Sequence, residues 1–259
     1  MRRIFLRIAY DGTHYHGFQV QPNGETIEGV LNRELSRILK EDITVIGASR
    51  TDAGVHALGN VAVFDTNARI PGEKVAYALN VSLPEDIKIQ QSMEVPPDFH
   101  PRHQKTVKTY EYKIYNARFP SPQHRLYEHF TYYKLNIEKM QAAADYLIGE
   151  HDFKSFCSIH AEVESTVRTI YNIKVTKKED VITIRITGNG FLYNMVRIIA
   201  GTLMDAGQGF WKPEHMKEIL EGKERSLAGA TAPARGLTLL EILYPEACVP
   251  MAGDGQFNE

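Results

Sequence analysis

Residues 48–60 read ASRTDAGVHALGN, and Arg50, Thr51, Asp52 and His56 make a polar cluster there between two hydrophobic runs. A carboxylate with a guanidinium two residues before it and an imidazole four after it has the groups to take a proton or to attack an electrophilic carbon. An Asp standing alone before Ala-Gly is most often a turn former or a helix N-cap, so the interest of Asp52 rests on its company. Gly54 adds a backbone that a ligand can approach closely.

A second polar stretch, FHPRHQKTVKTYEYK at residues 99–113, carries Arg102, Lys105, Lys108 and Lys113 with two histidines and a single acid, Glu111. Such a segment ordinarily forms a solvated strand face. Tyr110 and Tyr112 interleave the cations, however, and rings that stack on bases beside charges that hold phosphates are the ingredients of an RNA-binding surface. A third stretch, GNGFLYNMVRIIAG, has Gly188 and Gly190 but Tyr193 where a dinucleotide fingerprint needs its third glycine, which excludes that fold. It leaves Arg197 inside an apolar helix, where a guanidinium must find a carboxylate or phosphate. Asp52 is the expected partner.

Other chemistries are poorly served. His14 and His16 are two residues apart, and Cys157 with His160 makes one CxxH pair, but neither has the matched second pair of a closed zinc site, so no metal is expected. No GxSxG nucleophile elbow occurs, since Ser49 follows Gly47 and Ala48 without the second glycine. A glycosidase needs two carboxylates across the bond, and Asp52 has no obvious acidic companion.

The elements that must position these groups follow from periodicity. Ile4, Leu6 and Ile8 alternate with polar residues up to Asp11-Gly12, which predicts a half-buried strand. Thr26 is a plausible N-cap for a helix whose apolar face is Ile27, Val30, Leu31, Leu35, Ile38 and Leu39. The β-branched runs ITVIGAS and NVAVFDT flank the first motif, so Arg50 to Leu58 is expected to be a connection between two strands. Further on, KTYEYKIYN reads as a strand, Ile137, Met140, Ala144 and Leu147 as a helix face, and residues 167–188 as a hairpin turning near Lys178 to Asp180. FLYNMVRIIAGTLMDAG reads as a buried helix closed by Gly207, and LTLLEILYP as a last strand. The order predicts two α+β halves, residues 1–100 with the Asp52 loop and 101–245, then a loose tail at 246–259.

With 259 residues and 43% hydrophobic content the chain can bury a core of this size. Thirty Lys and Arg against 32 Asp and Glu give a formal charge of -2, so affinity for RNA has to come from a local surface. Two cysteines, an N-terminus whose apolar residues are broken by arginines, and no apolar run of about 20 residues predict a soluble, cytoplasmic protein without a membrane span.

Four stretches in this order, SRTDAGVHA, FHPRHQKTVKTYEY, GFLYNMVRIIAGTLM and ATAPARGLTL, resemble the TruA family of tRNA pseudouridine synthases, and the likeness runs from residue 4 to residue 245. The resemblance implies an enzyme that isomerises uridine to pseudouridine in the anticodon stem-loop of tRNA, at positions 38 to 40, with no cofactor. It implies an α+β fold of two ferredoxin-like halves whose mainly antiparallel sheets join, flanked by helices, with the active-site cleft between them. It also implies a homodimer that shares one tRNA across both subunits. Carried onto matching residues, it makes Asp52 the catalytic carboxylate, by covalent attack or by taking the C2′ proton, and Arg197 the cation that favours its ionised form. Tyr110 would stack on the uracil and help remove the C5 proton, and Arg50 would fill the gap left by the flipped base or hold its phosphate. Thr51 and His56 join the substrate contacts, and Arg102, Lys105 and Lys108 would hold phosphates. Many members have Gly where this chain has Ser49, a departure that bears on the target. The alternatives are a TruA-like enzyme for another RNA uridine and an RNA-binding module without catalysis.

Overall fold

The opening alternation becomes a strand, Arg2–Tyr10 (β1), in a computed structural model that describes residues 1–158 and 164–245. This strand is not half-buried. Ile4, Phe5 and Leu6 are all buried, because β1 lies inside the sheet and the rings of Phe99 and Tyr244 pack on Phe5 at its second face. Thr26 caps the helix Ile27–Leu39 (α1), its side chain accepting from the Gly29 N–H, and the helix buries Ile27, Val30, Leu31 and Leu35. The strand expected over ITVIGAS shrinks to Ile46–Gly47 (β2), while its partner extends over His56–Thr66 (β3), so the connection between them ends at Val55 and not at Leu58. Helix Val75–Ser82 (α2) and strand Ile87–Val95 (β4), which the periodicities do not mark, complete this part of the chain.

Val107–Asn116 (β5) and His129–Thr131 (β6) follow, then helix Ile137–Asp145 (α3), capped by the Asn136 side chain, and Gly149–Asp152 (β7). The hairpin of Val167–Lys178 (β8) and Val181–Gly188 (β9) turns at Glu179 and Asp180. The buried helix is Met195–Gln208 (α4), ended by Gly209 at φ 83° and not by Gly207. His215–Gly222 (α5) and Leu237–Leu243 (β10) are the last elements among the described residues, and the tail at 246–259 lies outside them.

Among the described residues ten strands form one sheet in the order β4-β1-β3-β10-β5-β9-β8-β7, with β2 added on β3 and β6 on β5. All pairings are antiparallel except β10 with β3 and β5 with β6. Among the described residues five α-helices flank the sheet, α1 packing with α2, and α3 with α4 and β8. This is the expected α+β architecture of a joined, mainly antiparallel sheet. The last strand makes the join: Thr238 of β10 lies opposite His56 of β3, and Leu239 opposite Tyr110 of β5. The seam gathers the Asp52 loop, the start of β5 and the N-terminus of α4 around one cleft.

Candidate active site

The loop from Ala48 to Val55 is held from beneath by buried polar side chains. The Tyr10 hydroxyl lies 2.7 Å from Thr51 Oγ1, and Asn60 Nδ2 donates to both the Tyr10 hydroxyl and the Ser49 carbonyl at 3.0 Å. The Phe18 N–H donates to the Thr51 carbonyl at 3.0 Å, a contact that needs glycine beside it: a Cβ on Gly17 (φ 87°) would lie 2.6 Å from that oxygen. Gly54 at φ 76° supplies the left-handed turn after Asp52. Its missing side chain faces Ala234 and it does not line the cleft, so it shapes the loop, and the expected approach of a ligand to its backbone is not what the structure shows.

Arg197 sits in the first turn of α4, the positive end of the helix dipole, where a cation depends on its acceptors. Its Nη1 donates to Asp52 Oδ2 at 3.0 Å and to Asn194 Oδ1 at 2.8 Å, and its Nε donates to the Ala232 carbonyl at 2.7 Å. The two side chains are 20% and 17% exposed for Asp52 and Arg197, so the carboxylate reaches the cleft while most of the pair is out of water. Burial raises the Asp52 carboxyl above its ordinary value, and the charge and hydrogen bond of Arg197 oppose that rise without cancelling it. Arg197 therefore favours the ionised form by its own effect, as expected, but burial outweighs it.

Tyr110 on β5 is buried, with its hydroxyl 3.0 Å from Ser49 Oγ and its ring edge-on to Phe191 at 5.2 Å and 82°. Burial pushes its phenol up to about 12. Lys108, two residues earlier on the same face of β5, is half-buried, its Nζ donating to the Ala48 carbonyl at 3.3 Å and to Ser49 Oγ at 3.4 Å. Burial lowers its ammonium to about 8, with the charges of Arg102 and Arg168 acting in the same direction. This places Lys108 in the cleft wall and not on the solvated strand face that such a segment ordinarily forms. Tyr112 departs further from the stacking role its position suggested: it is fully buried, its hydroxyl donating to the Pro233 carbonyl at 2.9 Å.

The cleft has a volume of about 890 Å³, within the range of sites that take a small molecule or a single extruded nucleotide. Among the described residues lining it, Asp52 is the only carboxylate, against Arg50, Arg102, Lys108 and Arg168. The second carboxylate of a glycosidase is thus absent from that lining. Arg50 is exposed at the mouth, and Thr51 lines the cleft while spending its hydroxyl on Tyr10. Lys105 is exposed and does not line the cleft, although its neighbours Gln104 and Thr106 do. His56 is not brought to the site. It is buried on β3, where Nδ1 accepts from the Gly12 N–H at 3.1 Å and Nε2 bonds the Leu126 carbonyl at 3.0 Å, against the Tyr127 ring. Arg168, Asn194 and the buried pair Tyr10 and Asn60 join the site without having been singled out: Asn60 and Asn194 stand inside stretches read for other residues, and Arg168 and Tyr10 are carried there by sheet register.

Among the described residues no three His, Cys, Asp or Glu side chains are grouped as metal ligands, and no helix is long and apolar enough to cross a membrane; His160 and Cys248 lie outside the described residues. The sequence pattern of the tRNA pseudouridine synthase family matches residues 7–104 and 143–245, which contain Asp52 and Arg197. The chain belongs to that family. The tRNA pseudouridine synthase A of Ruminiclostridium cellulolyticum is 50% identical over 245 residues, covering 94% of this synthase and 100% of the relative. The tRNA pseudouridine synthases A of Thermoanaerobacter sp. strain X514 and of Acetivibrio thermocellus are 48% and 47% identical with the same shares covered. The solved archaeal box H/ACA sRNP Nop10-Cbf5 complex aligns with 91% of this synthase and 46% of that chain at 12% identity and a TM-score of 0.33, too slight a likeness to bear on fold or site.

Proposed function

We propose that this synthase isomerises uridine to pseudouridine in the anticodon stem-loop of tRNA, at positions 38 to 40, with Asp52 as the catalytic carboxylate. The observation that carries the proposal is the ion pair of Asp52 and Arg197 at 3.0 Å, presenting the only carboxylate among the described residues of an otherwise cationic cleft. The reaction must break the N1–C1′ bond of the uridine, turn the base within the pocket and form a C5–C1′ bond. Asp52 starts it in its ionised form, by covalent attack or by taking the C2′ proton. Arg197 fixes the rotamer of that carboxylate and supports its charge. Tyr110, its ring set by Phe191, stacks on the uracil and receives the C5 proton once the new bond exists. Arg50 fills the gap left by the extruded base or holds its phosphate, and Arg102 and Arg168 hold backbone phosphates.

In this proposal residues 1–100 and 101–245 are the two units that hold the RNA between them, and two copies of the chain share one tRNA. A binding module without catalysis would leave a costly, largely desolvated ion pair facing the RNA with nothing to do. Release of tritium from C5-labelled uridine in bacterial tRNA tests the proposal. The native protein is expected to release it and Asp52→Asn to bind the same tRNA without release. Release by Asp52→Asn would remove Asp52 from the chemistry. Tight binding without release by the native protein would turn the proposal toward a different RNA uridine.

A further inference from the structure

Tyr110 poses a problem of proton balance that the pair of Asp52 and Arg197 does not solve. With its phenol pushed up to about 12 by burial, Tyr110 keeps its own proton at neutral pH, so it can take a second proton from C5 only by handing the first one on. The groups in position to receive it are Ser49, whose Oγ lies 3.0 Å from the Tyr110 hydroxyl, and Lys108, whose Nζ lies 3.4 Å from the same Oγ. Asn60 fixes the Ser49 backbone through its carbonyl, and the Ala48 carbonyl holds Nζ from a second side at 3.3 Å.

We propose that Ser49 and Lys108 form a proton relay that drains the C5 proton of the substrate away from Tyr110, with Lys108 as the terminal acceptor. The inference rests on the assignment of Tyr110 as the group that receives the C5 proton. After the C5–C1′ bond has formed, the C5–H bond breaks and its proton goes to the Tyr110 oxygen. The electron pair left behind becomes the C5=C6 double bond, and the C6=N1 pair moves to N1, which takes up a proton from water. The phenolic proton of Tyr110 passes to Ser49 Oγ, the Ser49 proton passes to the lone pair of the neutral Lys108 amine, and the resulting ammonium returns one proton to water. The reaction is an isomerisation with no net proton gained or lost, as the product requires.

The environment suits Lys108 to that end of the chain. No carboxylate pairs with it among the described residues, and the charged groups acting on it are Arg102, from the segment before β5, and Arg168 of β8, both of which disfavour its ammonium. Asp52 faces Tyr110 from the opposite loop and disfavours a phenolate there. At the value of about 8 that results for Lys108, roughly a tenth of the amine is neutral at pH 7. A surface lysine would offer far less.

The test is single-turnover conversion of a tRNA carrying protium or deuterium at C5 of the target uridine, measured from pH 6 to 9. For the native protein the rate is expected to rise toward a plateau above about pH 8, as the Lys108 amine becomes neutral. Ser49→Ala removes one oxygen and is expected to slow conversion about 10- to 100-fold, with tRNA affinity unchanged within about twofold. It is also expected to raise the C5 isotope effect above the native value and to erase the rise with pH. Ser49→Thr, which keeps the hydroxyl, restores all three, and Lys108→Met behaves as Ser49→Ala does. A Ser49→Ala protein with the native pH profile and isotope effect overturns the relay whatever Lys108→Met does. Release of C5 tritium by Tyr110→Phe at the native rate overturns the underlying assignment of Tyr110 instead, so the two failures are told apart.

Discussion

Two influences of opposite sign meet at Asp52, and the balance between them can be read by titration. Burial raises its carboxyl and Arg197 lowers it, with burial the larger, so the ionised form that the proposed reaction uses is lost, as pH falls, at a higher pH than for an exposed Asp. An acid limb of kcat/KM separate from the rise that Lys108 sets is expected there. Arg197→Met leaves burial unopposed and is expected to move that limb to still higher pH, and an unmoved limb would detach it from Asp52. The stability consequence has its own sign. A carboxyl raised in the folded state contributes stability below its unfolded pKa, and that contribution is lost as pH rises through the folded value. At pH 7 the ionised Asp52 therefore works against the fold, and Asp52→Asn is expected to unfold at a temperature no lower than the native protein while losing about a thousandfold or more in rate. Thermal unfolding and tritium release on the same preparation check both halves.

At the scale of elements, what the sequence makes legible is what local chemistry decides. The Thr26 cap, the face of α1 and the turn at Glu179 and Asp180 need no information from elsewhere in the chain, and each is found where periodicity and turn residues put it. β4 is illegible for a physical reason. Its buried positions are Ile87, Ile89, Ser92 and Val95, and their parity changes because the register with β1 shifts between Arg7 and Ile8, which breaks the alternation that marks a strand. The start of α4 is hidden in the same way. Asn194 at φ 61° ends any helical continuation toward Phe191, which moves Arg197 from the middle of the helix to its first turn and aims it at Asp52. Two substitutions separate fold from site at this scale. Thr26→Ala is expected to cost about 1 kcal/mol in a urea melt with activity intact, since α1 does not line the cleft. Gly17→Ala forces a left-handed residue and a Cβ against the Thr51 carbonyl, costs roughly 1–3 kcal/mol, and is expected to reduce tritium release as well, because that carbonyl belongs to the Asp52 loop.

For the whole molecule, a formal charge of -2 coexists with a cleft walled by arginines from three distant parts of the chain, Arg50, Arg102 and Arg168. No stretch of sequence contains that surface, and only the sheet order assembles it. The basic segment at 99–113 announces part of it and overstates the rest, because Lys113 and Arg185 both pair with Glu111 away from the cleft while Lys105 stays off the lining. Binding of a polyanion distinguishes these cations, since each phosphate contact releases a counterion and steepens the salt dependence of affinity. Arg102→Ala and Arg168→Ala are each expected to lower the slope of log affinity for tRNA against log salt by about 0.7 to 0.9. Lys113→Ala is expected to leave the slope unchanged, because Lys113 is already answered by a carboxylate and faces no bound phosphate. Fluorescence titrations of the three variants across a range of KCl decide the matter. A Lys113→Ala slope that falls as far as that of Arg102→Ala would mean that the RNA runs along the outer strands of the sheet and not through the cleft at its seam.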